Sequence, residues 1–331
     1  MEVLPRFEVV RPGTVAAAIA AHQGGQASRF IAGGTDLMVN LRHGLGAPER
    51  LIDLRHIPAL RTIAAEDDGI TIGAAVTLAE ILAHPEIRHR YPALATAAGA
   101  VGAPAHREAA TIGGNLCLDT RCVFYNRSAW AREANGFCLK HRGETCHVAP
   151  TGQRCHAAFS GDLAPALLVY GATIEIAGEA SLRRVPLSDL YAEDGAAHLR
   201  LAPNELLTRI YLPPDPWPAL YAKARARGAI DFPLAGVAVA LRAEAGEVVG
   251  LRAALTGTNP RPFLLAGVEA LHGERLDESW LDRLGKLVQK QVSPMRTTLL
   301  AAQYRRRVAS ALARRLAAAL GGMTADGGAA A

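Results

Sequence analysis

The first sixty residues alternate helix-like and strand-like spacing of apolar positions. Residues 14–22 form an Ala-rich run that predicts a short helix stopped at Gly24 and Gly25. Residues 28–32 read as a strand, 35–43 as a helix with Gly44 beyond its end as a left-handed cap, and 51–53 as a short strand. Residues 61–65 and 70–73 flank Asp68-Gly69 and predict a hairpin. Thr77 opens another helix, and Glu80 three residues on completes a capping box with it.

From 104 to about 159 this patterning fades, and Arg, His, Cys and Gly replace the apolar residues. Such a stretch reads as an irregular insertion that cannot bury enough apolar surface by itself. Regular spacing returns at Ala164, with strands at 173–176 and 206–212. Pro213, Pro214, Pro216 and Pro218 then form a stiff linker and place a domain boundary. Beyond it come strands at 237–242 and 250–255, helices at 262–272 and 278–291, and a last helix at 297–320. On that helix Tyr304, Val308, Leu312 and Leu316 share one face, with most of its arginines elsewhere. The expected organisation is a first domain over 1–215 with an insertion at 117–159, a second over 216–320, and a disordered tail over 321–331.

A chain of 331 residues exceeds one core of ordinary size, and its 50% apolar content can fill more than one. The formal charge of +5 is mild, and much of it sits at Arg305, Arg306, Arg307, Arg314 and Arg315. That run reads either as a solvated helix face or as a contact for nucleic acid or an acidic partner. No aromatic interleaving or recognition motif accompanies it, which argues against nucleic acid. No basic start followed by an apolar stretch and no long apolar run occurs, so a soluble, cytoplasmic protein is expected, with no membrane contact. All five cysteines fall between 117 and 155. In a reducing compartment such clustering points to a metal or cluster site rather than disulfides.

The segment FIAGGTDLM runs from a strand through two glycines into a helix start. Glycines let a backbone approach a diphosphate closely, and amides at the helix start face the anion. Thr35 adds a hydroxyl donor. Asp36 would repel phosphate if it pointed inward and is better placed as a helix cap. ATIGGNL at 110–116 offers a second Gly-Gly turn after a strand-like stretch, and the two together could clamp one diphosphate.

AGGTDLM, TIGGNL, SGDLAPALL at 160–168 and YAKARARGAIDFPLAGVAVAL at 221–241 resemble, in that order, the FAD-binding medium subunit of the xanthine dehydrogenase and carbon monoxide dehydrogenase family. The resemblance covers about 7–320. It implies an α+β fold: two subdomains of a PCMH-type FAD-binding domain, then a small domain of three antiparallel strands with helices. It implies that Phe30, Ile31, Ala32, Gly33, Gly34, Thr35, Asp36 and Leu37 line the diphosphate and ribityl. Thr111, Gly113, Gly114 and Asn115 would close the other side. Asp162 would hydrogen-bond the flavin side, Lys223 would lie near the isoalloxazine, and Val101 and Leu207 would pack on the cofactor. No catalytic acid–base constellation is evident.

The stretch between TIGGNL and SGDLAPALL is much longer than in ordinary members and resembles the insertion in the corresponding subunit of 4-hydroxybenzoyl-CoA reductase, which holds a 4Fe–4S cluster. Cys122, Cys138, Cys146 and Cys155 would be the ligands, with Cys117 a free buried thiol. The cysteines are widely and irregularly spaced, with none of the C-x-x-C pairs usual in zinc ribbons. Spacing alone nevertheless leaves open a zinc site that includes His141, His147 or His156. Trp130, Phe124 and Phe137 are candidates to shield a cluster from water. The resemblance further implies a dimer of heterotrimers, in which a small subunit with two 2Fe–2S clusters and a large molybdopterin subunit take electrons from ferredoxin through this chain. An FAD subunit of another molybdenum hydroxylase, passing electrons to NAD or quinone, and a zinc-stabilised non-redox scaffold are the alternatives.

Overall fold

The computed structural model describes residues 4–22 and 27–322. The expected helix stop at Gly24 and Gly25 and nearly all of the expected tail lie outside them. The chain builds three sheets in succession. The first is parallel, with β1 (Glu8–Val10), β2 (Ser28–Ile31) and β3 (Arg50–Asp53) in the order β1-β3-β2. The second is antiparallel, in the order β4-β5-β8-β6-β7, from β4 (Ile63–Glu66), β5 (Gly69–Gly73), β6 (Thr173–Ala177), β7 (Leu182–Pro186) and β8 (Leu206–Leu212). The third is antiparallel, in the order β12-β11-β10-β9, from β9 (Ala219–Ala224), β10 (Ala235–Glu244), β11 (Glu247–Thr256) and the two-residue β12 (Phe263–Leu264). The fold is the expected α+β arrangement, with three long strands and one very short edge strand in the last sheet.

Helices α1 (Val15–Ala21) and α2 (Leu37–Arg42) accompany the first sheet. Next come α3 (Leu78–Ala83), α4 (Pro85–Arg90), α5 (Pro92–Gly99), α6 (Pro104–Ala109) and α7 (Ile112–Leu116). Proline at the first position of α4, α5 and α6 marks each start, where a missing N–H costs nothing. Thr77 and Glu80 form the capping box of α3. Helix α8 (Ala129–Ala134) lies in the cysteine-bearing insertion, α9 (Leu163–Val169) follows it, and α10 (Glu278–Gln291) and α11 (Ala302–Leu320) close the chain.

All seven residues of α9 are buried. The helix joins one core cluster with the second sheet and with Tyr221, Ala238, Ala240 and Ala254 of the third. Strand β10 explains the closeness. Its alternate residues Val237, Val239 and Leu241 face the core under α10 and α11, while the small Ala238 and Ala240 face α9.

Three local expectations fail. Residues 262–272 are β12 and a 3₁₀ turn at Val268–Leu271, not one helix, and Gly267 in the left-handed region breaks the run. The segment 104–159 is less irregular than its composition suggests, since α6, α7 and α8 lie inside it. On α11 Leu312 and Leu316 of the predicted stripe are buried and Val308 packs against the same core, but Tyr304 is exposed and Arg305 is fully buried. The Arg305 Nε donates to the Leu234 carbonyl at 3.0 Å, Nη1 to the Met295 carbonyl at 2.9 Å and to Thr297 Oγ1 at 3.1 Å, and Nη2 to the Gly257 carbonyl. Burial pushes its pKa down to about 10, which still leaves it charged at neutral pH. Arg305→Leu should therefore destabilise the chain by about 3 kcal/mol or more, because several carbonyls lose their donor at once. A melting temperature equal to the parent's would show that these contacts carry no net stability.

Candidate functional site

Strand β2 ends at Ile31, and the chain turns through Ala32–Asp36 into α2. A Cβ on Gly33 would fall 1.8 Å from the Ala109 carbonyl oxygen, so only glycine lets this turn lie against the 109–110 backbone. Gly34 takes a left-handed φ of +70°. Opposite, Thr111 caps α7 by accepting a hydrogen bond from the Gly114 amide at 3.1 Å. A Cβ on Gly113 would meet Ala74 at 2.7 Å. The second Gly-Gly pair thus sits in a short helix rather than in a turn after a strand.

Between the two segments runs a cleft of about 400 Å³. Phe30, Ile31, Ala32, Gly33, Gly34, Thr35, Asp36, Leu37, Val101, Thr111, Gly114, Asn115 and Asp162 all line it. It continues into a cavity of about 480 Å³ that shares Phe30, Ala32, Gly114 and Cys117 and is lined by Gly113 and Leu207. An elongated ligand fits such a pair of linked, backbone-walled chambers. Arg121, Ser160, Ile230 and Phe232, none of them expected as site residues, also line the first chamber, although the last three lie inside the motifs that carry the resemblance. Arg121 belongs to the insertion, and only folding brings it there.

Two candidate residues have partners that the sequence did not reveal. The Lys223 ammonium does not line either chamber; it is buried 2.9 Å from Asp162 Oδ1 and donates to the Asp231 carbonyl at 3.1 Å. The Tyr221 hydroxyl donates to the same Asp162 oxygen at 2.6 Å. Burial pushes the Asp162 carboxyl up, and Lys223 and Tyr221 oppose that. Asp36 stands at the N-terminal end of α2 but makes no capping bond. Its carboxylate pairs instead with Arg121 and accepts from the Asp119 amide at 3.1 Å.

The insertion is ordered by few apolar contacts and many polar ones. Arg132 is buried and donates to the His43 carbonyl at 2.6 Å, tying α8 to the end of α2. The Val123 amide donates to the Thr297 carbonyl at 2.9 Å, and the Cys155 amide to Asp194 Oδ1 at 3.1 Å. Cys122, Cys138, Cys146 and Cys155 are all buried and line one small cavity with Phe124, Tyr125, Leu139, Lys140 and His147. Burial pushes the Cys155 thiol up to about 12 and raises Cys122 as well, so thiolates here need a positive partner. Among the described residues, no three His, Cys, Asp or Glu side chains converge closely enough to hold a single metal ion. Trp130 is 78% exposed on α8 and shields nothing, whereas Phe124 does line the cysteine cavity. Cys117 is half-buried in the wall of the cleft, and burial lifts its thiol to about 12.

A third cleft, of about 840 Å³, lies between the Gly-Gly cradle and the insertion, touching Phe30 and Asp36 on one side and Tyr125, Lys140 and His141 on the other. His198 lies on its wall, buried, with Nε2 2.8 Å from the Leu118 carbonyl.

Comparison with known proteins decides the family. Residues 5–215 match the FAD binding domain in molybdopterin dehydrogenase, and 219–320 match the CO dehydrogenase flavoprotein C-terminal domain. The chain belongs to the FAD-binding subunits of the molybdopterin dehydrogenases. It is 29% identical over 274 residues to the aldehyde oxidoreductase FAD-binding subunit PaoB of Escherichia coli, covering 80% of this chain and 85% of that one. It is 28% identical to the carbon monoxide dehydrogenase medium chain of Afipia carboxidovorans, over 93% of this chain and 94% of that one. The solved Cu,Mo-CO dehydrogenase superposes with a TM-score of 0.79 at 25% identity, covering 97% of this chain and 100% of its own. As an FAD-binding subunit of a molybdenum hydroxylase, the chain is part of an oxidoreductase. Among the described residues no helix is long and apolar enough to cross a membrane.

Two outcomes follow. Lys223→Met leaves Asp162 as an uncompensated buried carboxyl and should cost about 3–5 kcal/mol of stability, read as a lowered melting temperature. An unchanged melting temperature would mean that Asp162 is neutral without its partner. Burial, with Lys140 nearby, lowers the His198 pKa from 6.5 to about 4, so over that interval the unfolded chain binds more protons than the folded one. Stability should fall as pH drops from 6.5 toward 4, by up to about 3 kcal/mol from this residue. His198→Gln should flatten that part of the profile in denaturant titrations; a profile as steep as the parent's would assign the loss elsewhere.

Proposed function

We propose that this chain is the electron-transfer flavoprotein subunit of a molybdenum enzyme of the 4-hydroxybenzoyl-CoA reductase type, which reductively dehydroxylates 4-hydroxybenzoyl-CoA to benzoyl-CoA. The observation that carries this reading is the insertion, whose four buried cysteines line one cavity beside the FAD cleft. A 4Fe–4S cluster takes four thiolates, one for each iron, and these four share that cavity. Cys122, Cys138, Cys146 and Cys155 would be its ligands.

Bound FAD supplies redox chemistry that can link one-electron carriers to two-electron ones. The residues of the chain bind and orient it. The Phe30–Leu37 backbone with Thr111, Gly113, Gly114 and Asn115 would hold the diphosphate and ribityl, and Val101 and Leu207 would pack against the cofactor. Asp162 would hydrogen-bond the flavin side, with Lys223 holding that carboxylate in place. On this reading residues 1–215 form the FAD-binding domain and 216–320 the C-terminal one. In the cytoplasm the chain would accept electrons from ferredoxin and serve a small 2Fe–2S subunit and a large molybdopterin subunit in a dimer of heterotrimers. The names of the relatives favour a second reading, in which the chain serves an aldehyde, xanthine or carbon monoxide type of enzyme and passes electrons out to NAD or quinone.

Anaerobic purification with iron, acid-labile sulfide, zinc and flavin counted per chain tests the proposal. About four iron and about four sulfide per chain are expected beyond those of any small subunit, with FAD. Cys138→Ser should lower both while FAD stays bound. Zinc without sulfide, or no metal, would remove the cluster and favour the second reading.

A further inference from the structure

The acidic residue of the Gly-Gly-Thr-Asp turn poses a physical problem. Asp36 lines the same chamber as the glycines that approach the cofactor's diphosphate, and a bare carboxylate there would repel it. It makes no capping bond that would explain its presence. What faces it is Arg121, from the cysteine-bearing insertion. Arg121 is held from three sides. Its backbone N–H and C=O pair with Ala158 at 2.8 Å each, its Nη1 donates to Asn40 Oδ1 at 3.2 Å, and its guanidinium lies 4.8 Å from the centre of the Phe232 ring. It also lines the chamber itself. The next residue along the chain, Cys122, faces the cysteine cavity.

From this juxtaposition we infer that the insertion completes the FAD cradle: Arg121 neutralises Asp36 and so permits the diphosphate to bind beside it. The inference deepens the FAD-subunit reading and depends on the cleft being the FAD site, but not on what the cysteines hold. A chain whose cysteines carry zinc fails the cluster test and leaves this one intact.

The experiment is titration of FAD into the deflavinated complex, followed by flavin fluorescence, for four forms. Arg121→Met should raise the FAD dissociation constant at least about tenfold, since a partly buried charge-assisted contact is lost and a carboxylate is left facing the phosphates. Asp36→Asn in the Arg121→Met background should recover most of that loss. Asp36→Asn alone should bind FAD as tightly as the parent or more tightly, because the repelling charge is gone while the arginine remains. This last form separates charge neutralisation from a mere structural latch, which either single change would break. The inference is overturned if Arg121→Met binds FAD like the parent, if the double variant recovers nothing, or if Asp36→Asn alone weakens binding as much as Arg121→Met does. Melting temperature and iron content, measured on each form, show whether the insertion itself survives.

Discussion

The molecule depends on the burial of α9 between the second and third sheets. Every residue of this helix is inside, and the alanines of β10 let it approach the third sheet closely. Its N-terminal end carries Asp162, which Tyr221 and Lys223 of β9 grip from the other side. A buried ion pair of this kind contributes little net stability, but losing one partner is costly, so it fixes how the two parts of the chain meet. The wall of the cleft therefore includes a residue whose position is set by the third sheet, although most of the cleft is built from the end of β2, the turn into α2 and the residues around α6 and α7.

The insertion uses a different physics. It has only a small apolar cluster around Leu45, Tyr125 and three of the cysteines. Its shape is specified by charged side chains satisfying carbonyls, with Arg132 on the end of α2 and Lys140 held by Asp119 and Thr120. Such a network orders a segment only where its partners are already in place, so the cradle and the insertion organise each other. Bound cysteine ligands would add a covalent anchor to this polar frame.

Cradle, insertion and third cleft meet at a few residues. Phe30 and Asp36 belong both to the first chamber and to the cleft that leads toward Tyr125, Lys140 and His141. The lining between the first chamber and the cysteine cavity mixes charged groups such as Lys140 and Asp119 with apolar ones such as Leu41, Leu45 and Tyr125. Arg121 and Cys122, adjacent in sequence, look to opposite sides of it.

The sequence by itself determined what local chemistry controls: the capping box at Thr77, the glycine turns, the hairpin near Asp68 and the ordered motifs that carry the family. Gly33 and Gly113 stand where a Cβ has no room, and that constraint was visible as a pair of glycines before the fold was known. The tertiary structure alone decided the partners of charged groups. Asp36 looked like a helix cap, but Arg121, far along the chain, pairs with it; Lys223 has its charge matched by Asp162, on a distant helix; Arg305 looked like part of a solvated face, but it fills its donors with carbonyls from distant segments. Caps and turns are set by neighbours within a few residues, whereas an ion pair or a buried guanidinium is satisfied by whichever groups folding brings within reach, and periodicity holds no record of those.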